Sequence, residues 1–253
     1  MKKKIINTTL LVMLISLFSF KNSFDNGFKT SQLSNKRVRA AYDKKWVNLQ
    51  SQLAAKKIDK DNFELYFRIF KLEKEFEVWV KNKTDHNYTL LKTISICASS
   101  GELGPKRKQG DYQVPEGFYE IATFNPNSSY HLAMKINYPN QSDALKKTAT
   151  DAGGDIMIHG NCVTIGCIPL ENEPIEEVYV LATEAKNRKL IPQMAIYPCR
   201  FNEKNTHYLA KNFSEEKNKF WETLKKPYSY FEKNNILPKI SISKTGDYVF
   251  NDQ

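Results

Sequence analysis

Past its first twenty residues the chain has no run of eighteen apolar side chains, which excludes a polytopic membrane protein. Glycine and proline number only ten each in 253 residues, too few for a low-complexity or collagen-like chain. No segment repeats at a period of about 20 to 50 residues, so solenoids and propellers are excluded as well. Cysteine is scarce, with four in all, and the first is Cys97. No cysteine is therefore placed to carry a lipid at the end of a leader. What is present is a basic, aromatic-rich composition: 38 Lys and Arg against 28 Asp and Glu, with 15 Phe, 13 Tyr and 3 Trp. That apolar area is ample for a buried core and excludes disorder as the main character, and the cationic surplus suits an anionic surface or polymer.

Lys2, Lys3 and Lys4 precede Ile5 to Phe20, a stretch that is apolar except for Asn7, Thr8, Thr9, Ser16 and Ser19. A charged region followed by a short apolar one is the pattern of a secretory signal. Export to the periplasm or cell envelope is expected, which makes nucleic acid a poor partner. Phe18, Phe20 and Lys21 crowd the place where a small-residue cleavage site would fall, so residues 1–20 read either as a cleaved signal or as an uncleaved anchor, the only expected membrane contact. Residues 21–36, rich in Asn, Ser and Lys, read as a linker. Tyr42, Trp46, Leu49 and Leu53 recur at three and four, predicting a helix within 37–60.

Residues 61–201 are expected to form the chemistry-bearing unit. Alternation at Phe63, Leu65, Phe67 and Ile69, and again at Phe76, Val78 and Val80, predicts two strands. Shorter strand-like runs follow at Leu90–Cys97, Gly117–Phe124, His131–Asn137, Asp155–His159 and Met194–Pro198. Asn172 as a cap, with Glu173, Pro174, Glu176 and Glu177 behind it, predicts a helix reaching about Lys189. Residues 202–253 read as an extension: a helix capped by Ser214 that buries Phe220, Trp221 and Leu224, then a hairpin turning at Thr245-Gly246-Asp247. The expected class is α+β and mainly β.

Chemistry concentrates in Asp155-Ile-Met-Ile-His159-Gly160-Asn161-Cys162-Val163-Thr164-Ile165-Gly166-Cys167-Ile168-Pro169-Leu170. If Ile156 and Ile158 point into the core, His159 faces the other side of the sheet. A thiol with an ordinary pKa of about 8.5 needs a base to become a nucleophile at neutral pH, and His159 can take the proton of Cys167. Backbone amides around Gly166 and Cys167, with Thr164 beside them, are placed to meet the oxygen of a tetrahedral intermediate. That set suffices for acyl transfer. A buried thiol beside an unrelated histidine is the bland alternative.

Thr164-Ile165-Gly166-Cys167-Ile168, preceded by His159-Gly160 and followed by Ile175-Glu176-Glu177-Val178-Tyr179, resembles the signature of YkuD-type L,D-transpeptidases, and within them the YafK branch. Phe67-Arg68-Ile69-Phe70-Lys71, Gly117-Phe118-Tyr119, His131-Leu132, Asn137-Tyr138-Pro139-Asn140 and the Phe220 to Phe250 tail extend the likeness over roughly 62–250. The resemblance implies a β-rich domain acting on peptidoglycan stem peptides, with Cys167 as nucleophile, His159 as base and neither metal nor organic cofactor. It also implies transfer to an amine, a wall-attached protein among the possible partners, or hydrolysis, and acylation by carbapenems as substrate mimics. Most members of the wider family carry His before the Gly-Cys pair and Arg two residues after the Cys, where this chain has Ile165 and Pro169. Arg200 is the candidate replacement cation, since a guanidinium holds a carboxylate through two hydrogen bonds; His131 is a second candidate for the substrate cleft.

Two other readings stay open at this level. His159, Cys162, Cys167 and Cys199 offer soft ligands for a structural zinc ion, although their spacing matches no common module. A non-catalytic wall-binding protein would also use a basic, aromatic surface. Cys162 is expected to be structural or redox-modulating, Cys97 and Cys199 to be core thiols, and four cysteines with a reduced Cys167 allow at most one bridge.

Overall fold

The computed structural model describes residues 27–251; the leader at 1–20 lies outside them. The chain runs α1 (Gly27–Leu33), α2 (Lys36–Ala55), β1 (Phe63–Phe70), β2 (Glu75–Asn82), β3 (Thr89–Ser95), β4 (Gly117–Asn125), β5 (Ala133–Ile136) and α3 (Gln141–Lys146). It continues with β6 (Met157–His159), β7 (Ile168–Pro169), α4 (Asn172–Asn187), β8 (Gln193–Tyr197), α5 (Glu203–Asn212), α6 (Glu215–Asn234), β9 (Lys239–Ile242) and β10 (Tyr248–Asn251). Eight strands form one sheet in the order β3-β2-β1-β8-β4-β5-β6-β7, and β9 pairs with β10. Pairing is antiparallel except for β1 with β8 and β6 with β7. Among the described residues no helix is long and apolar enough to cross a membrane.

The alternation in β1 sorts its side chains to two different cores. Phe63, Leu65, Phe67 and Ile69 join Met194 and Ile196 of β8 beneath α2 and α4. Tyr66 and Phe70 face the opposite way, with Ala195 and Tyr197, and are covered by Leu209 of α5 and by Trp221, Leu224, Tyr228 and Phe231 of α6. The central strands are thus buried on both faces, and the molecule is a three-layer α/sheet/α packing. The 202–253 segment is the third layer. Pro227 lies inside α6, where a terminus was expected near it; the helix forgoes one backbone bond there and ends at Asn235, whose φ of 53° and N–H to the Phe231 carbonyl close it.

The expected linker is corrected at its C-terminal end: residues 27–33 are helical, α1 packs on α4, and buried Gln32 accepts from the Tyr179 hydroxyl. The cap of α4 is corrected too. Glu171 is the capping residue without a side-chain bond, because the Asn172 side chain is used elsewhere.

One buried polar network joins the third layer to the loop before β4. Glu116 is fully buried and accepts from the Lys71 ammonium (2.9 Å), the Gly104 amide (2.7 Å) and the Trp221 indole N–H (2.6 Å). Lys71 also donates to the carbonyls of Gly104 and Val114, and burial pulls its pKa down. Breaking such a pair from one side strands the other charge. Glu116→Ala should cost about 3–5 kcal/mol in urea unfolding, and Trp221→Phe about 1–3 kcal/mol. Equal stability of Glu116→Ala and the parent chain would show that the network carries no load.

Candidate active site

His159 ends β6, and Cys167 stands one residue before β7. The two strands run parallel with Ile158 level with Ile168 and His159 level with Pro169. Continuing that register sets Cys167 level with Met157, on the face that His159 also uses, at a diagonal Cα spacing of about 8 Å. A two-residue strand has little stability of its own, and four ties hold this one. Cys97 forms a disulfide with Cys162. The Cys97 amide donates to the Pro169 carbonyl at 3.2 Å. The Asn172 side chain accepts from the Asn161 amide at 3.0 Å, and Thr164 Oγ1 donates to the Cys167 carbonyl at 2.8 Å while accepting from the Gly166 amide at 3.1 Å.

Two glycines are required by this closure. Gly166 has φ of 133°, and a Cβ there would lie 3.1 Å from the Gln113 carbonyl oxygen. A Cβ on Gly160 would come within 2.7 Å of Asn172 Oδ1 and 3.0 Å of Ile175.

The His159 ring is buried, with Nδ1 2.6 Å from the Gly160 carbonyl oxygen. That contact requires Nδ1 to carry the proton and leaves the Nε2 lone pair as the basic site. Burial lowers the imidazole pKa below its ordinary value, only partly opposed by the Gly160 bond. Tyr130 covers the ring at a centroid distance of 4.9 Å and a tilt of 35°. Its turn is fastened by Arg37 of α2, which donates to the carbonyls of Ser128 (2.5 Å) and His131 (2.8 Å).

Cys167 is a free, partly buried thiol. Burial raises its pKa; a hydrogen bond from the Met157 amide opposes the shift, Asp155 adds to it and Lys106 counters it. Sγ leans 3.6 Å from the Asp155 carbonyl, away from the His159 end of β6. Among the described residues no hydrogen bond joins Sγ to the imidazole. Burial favours the neutral form of each group, the thiol by raising its pKa and the imidazole by lowering it.

The remaining sequence candidates divide. Thr164 staples the turn and occupies the Gly166 amide that was expected to face an oxyanion. His131, at φ 69°, pairs through Nε2 with Glu176 Oε1 at 2.9 Å; Glu176 is buried and its other oxygen has no partner among the described residues. Arg200 is committed elsewhere, to Glu75 (3.0 Å from Nε) and Glu77, with its guanidinium 4.1 Å over the Phe70 ring. It ties the loop after β8 to β2 and is not a free cation. Cys97 is corrected from core thiol to disulfide partner. Cys162 in that bridge, and Cys199 buried among Tyr66, Tyr197 and Trp221, take two ligands from the zinc alternative.

The sequence reading missed Lys71, which lines the cleft in front of Cys167 with Lys74, Ser99 and Val114. It also missed Tyr130 and the inward turn of Glu176. Lys71 and Tyr130 lie in or beside stretches read for resemblance, but nothing in their spacing marked them for the site.

A mixed sheet that presents a histidine and a cysteine-bearing turn from adjacent parallel strands defines a class. The family model described as the L,D-transpeptidase catalytic domain, YkuD, matches residues 66–191. The chain belongs to the L,D-transpeptidase family. Among individual proteins it is similar to "Putative L,D-transpeptidase YafK" of Escherichia coli strain K12, 38% identical over 189 residues that cover 73% of each chain. Solved structures with likeness include the helical cell shape determining protein Pgp2 of Campylobacter jejuni, at 21% identity and TM-score 0.43 over 72% of this chain and 74% of that one. L,D-transpeptidase 1 of Mycobacterium tuberculosis matches at 15% identity and TM-score 0.29, over 53% of this chain and 62% of that one.

Two measurements address the geometry. An NMR titration should find the His159 ring neutral to below its ordinary midpoint, and Tyr130→Ala, by admitting water, should move the midpoint up towards about 6.5. An unmoved midpoint would deny Tyr130 its shielding role. Because the folded pKa is depressed, the stability this group confers is present above about pH 6.5 and is lost as pH falls through the folded value. Joint replacement of Cys97 and Cys162 by Ala should cost about 2–4 kcal/mol, read from thermal unfolding in oxidising buffer.

Proposed function

We propose that this chain is an exported, cysteine-dependent acyl-transfer enzyme acting on peptidoglycan stem peptides, with Cys167 as nucleophile and His159 as base. The observation that carries the reading is the protonation state fixed at His159: Nδ1–H is spent on the Gly160 carbonyl, so Nε2 is free to accept a proton from the one accessible thiol of the turn. Family membership supplies the substrate class.

In the first step Sγ gives its proton to Nε2 and bonds to the carbonyl carbon of the stem peptide. The C–N bond breaks, the departing amine takes the proton from His159, and a thioester remains. An amine or water then adds to the thioester carbonyl and the C–S bond breaks, restoring the thiol. The Cys167 amide, left unoccupied by Thr164, is the donor assigned to the developing oxyanion. A thiol and imidazole that start neutral need no preformed ion pair; proton transfer accompanies attack. The acid limb of kcat/KM accordingly follows His159 and lies below the ordinary histidine range.

Muropeptides incubated with the protein, with and without an added amine, separate transfer from hydrolysis by mass spectrometry. Turnover is expected, and Cys167→Ala should lower it by at least ~10³-fold with the fold intact. A carbapenem should add one acyl group to the parent chain and none to Cys167→Ala in intact-mass spectra. Folded protein that shows neither product nor adduct, yet sediments with sacculi, would replace this reading with a wall-binding one.

A further inference from the structure

The carbonyl that fixes the tautomer of His159 belongs to the Gly160–Asn161 peptide, and that peptide is held from two sides. Its C=O lies 2.6 Å from His159 Nδ1, while its N–H, on Asn161, donates to Asn172 Oδ1 at 3.0 Å in the first turn of α4. Because a peptide is planar, turning the carbonyl away from the ring also turns the N–H away from Asn172. On the other flank the Gly160 amide donates to the Leu132 carbonyl at 3.1 Å, in the turn before β5. Only glycine fits between: a Cβ on Gly160 would lie 3.0 Å from His131 Cβ and 3.0 Å from Ile175 Cγ2.

One side-chain pair spans the two flanks. His131 Nε2 meets Glu176 Oε1 at 2.9 Å, and Glu176 stands four residues after Asn172, on the same face of α4. The Glu176 side chain is only 5% exposed, and its Oε2 has no hydrogen-bond partner among the described residues. A buried acid with a free oxygen is costly, so packing alone does not account for it. His131 reaches it from a φ of 69°, a left-handed conformation that L-residues adopt at a cost and that collects at functional sites. Arg37 holds the turn in that shape through the Ser128 and His131 carbonyls, and the same turn lays Tyr130 over the imidazole of His159.

We infer that His131 and Glu176 are positioning residues for the base: their bond clasps the start of α4 to the turn before β5, which keeps the Gly160 carbonyl on Nδ1 and the Nε2 lone pair of His159 available. The inference rests on the proposed role of His159 and adds two residues that act through it. With the carboxylate accepting, His131 Nε2 donates, and an amide oxygen in the same place accepts the same bond.

The test uses the full chain and its variants His131→Asn, Glu176→Ala, Glu176→Gln and the first two combined. Asparagine tolerates the left-handed backbone but is too short to reach Glu176, whereas glutamine keeps an acceptor for His131. The imidazole nitrogen shifts of His159 are read by NMR at a pH where the ring is neutral, and kcat and KM are read on muropeptides. In the parent chain the Nδ1–H form should dominate. In His131→Asn and Glu176→Ala the Nε2–H form should become populated, with kcat about tenfold lower and KM within about twofold. Glu176→Gln should keep the parent tautomer and a kcat within about threefold of the parent, and the combined variant should be no slower than the slower single one. Circular dichroism verifies each fold; should Glu176→Ala fail to fold, His131→Asn at its partly exposed position carries the test with Glu176→Gln. An unchanged His159 tautomer in the folded single variants, losses that multiply in the combined one, or a raised KM with kcat unchanged, which would make His131 a substrate contact, would overturn the inference. A parent chain without turnover would defeat the proposed chemistry, and the tautomer readout would then decide the clasp by itself.

Discussion

The relation between His159 and Cys167 rests on a parallel ladder only two residue pairs long. Such a ladder contributes little by itself, because fixing a residue's backbone costs about 1–2 kcal/mol of conformational entropy and a typical hydrogen bond returns about as much. Its persistence depends on its ends. One end is fixed by Cys97, through a covalent bond to Cys162 and a hydrogen bond from its backbone N–H to the Pro169 carbonyl. The other is fixed by α4, whose Asn172 takes the Asn161 amide and whose Ile175 packs where any larger residue than Gly160 would sit. A loop of eight residues between two tethered strands retains few conformations, and the two Thr164 Oγ1 bonds restrict it further.

That rigidity sets the electrostatics. The thiol and the imidazole are both pushed towards their neutral forms by burial, in opposite directions of pKa. An ion pair between them would have to offset two desolvation costs, which the field of Lys106 opposes only in part at the thiol. The sulfur instead rests on backbone groups at the start of β6, the Asp155 carbonyl and the Met157 amide.

Much of this was legible in the chain. Regular alternation gave β1 and β2, the 3.6-residue period gave α2, and Ser214 with its acidic first turn gave the start of α6. The stretch from His159 to Cys167, with Gly160 and Gly166 between, marked the candidate site. What escaped has physical causes. β7 is too short to carry a period, and α1 and α5 are too polar to announce themselves. Pro227 reads as a stop signal, yet the aromatic seam of Tyr228 and Phe231 against Tyr66 and Phe70 outweighs one lost backbone bond. Disulfide partners 65 residues apart leave no local mark. Arg200 illustrates the general limit. Sequence names a cation, but only the fold shows that Glu75 and Glu77 already hold it.

The sheet's double burial explains why the third layer matters to the site. β1 carries Arg68 between Phe70 and Phe231, paired with Glu77 and Glu232, and Lys71 just beyond its end, paired with Glu116. Neither charge is tolerable on an apolar face without α6, which supplies Glu232 to one and Trp221 to the other's partner. Lys71, which borders the recess at Cys167, is thus neutralised by a carboxylate that Trp221 of α6 helps to hold, so the third layer reaches the candidate site through one buried ion pair.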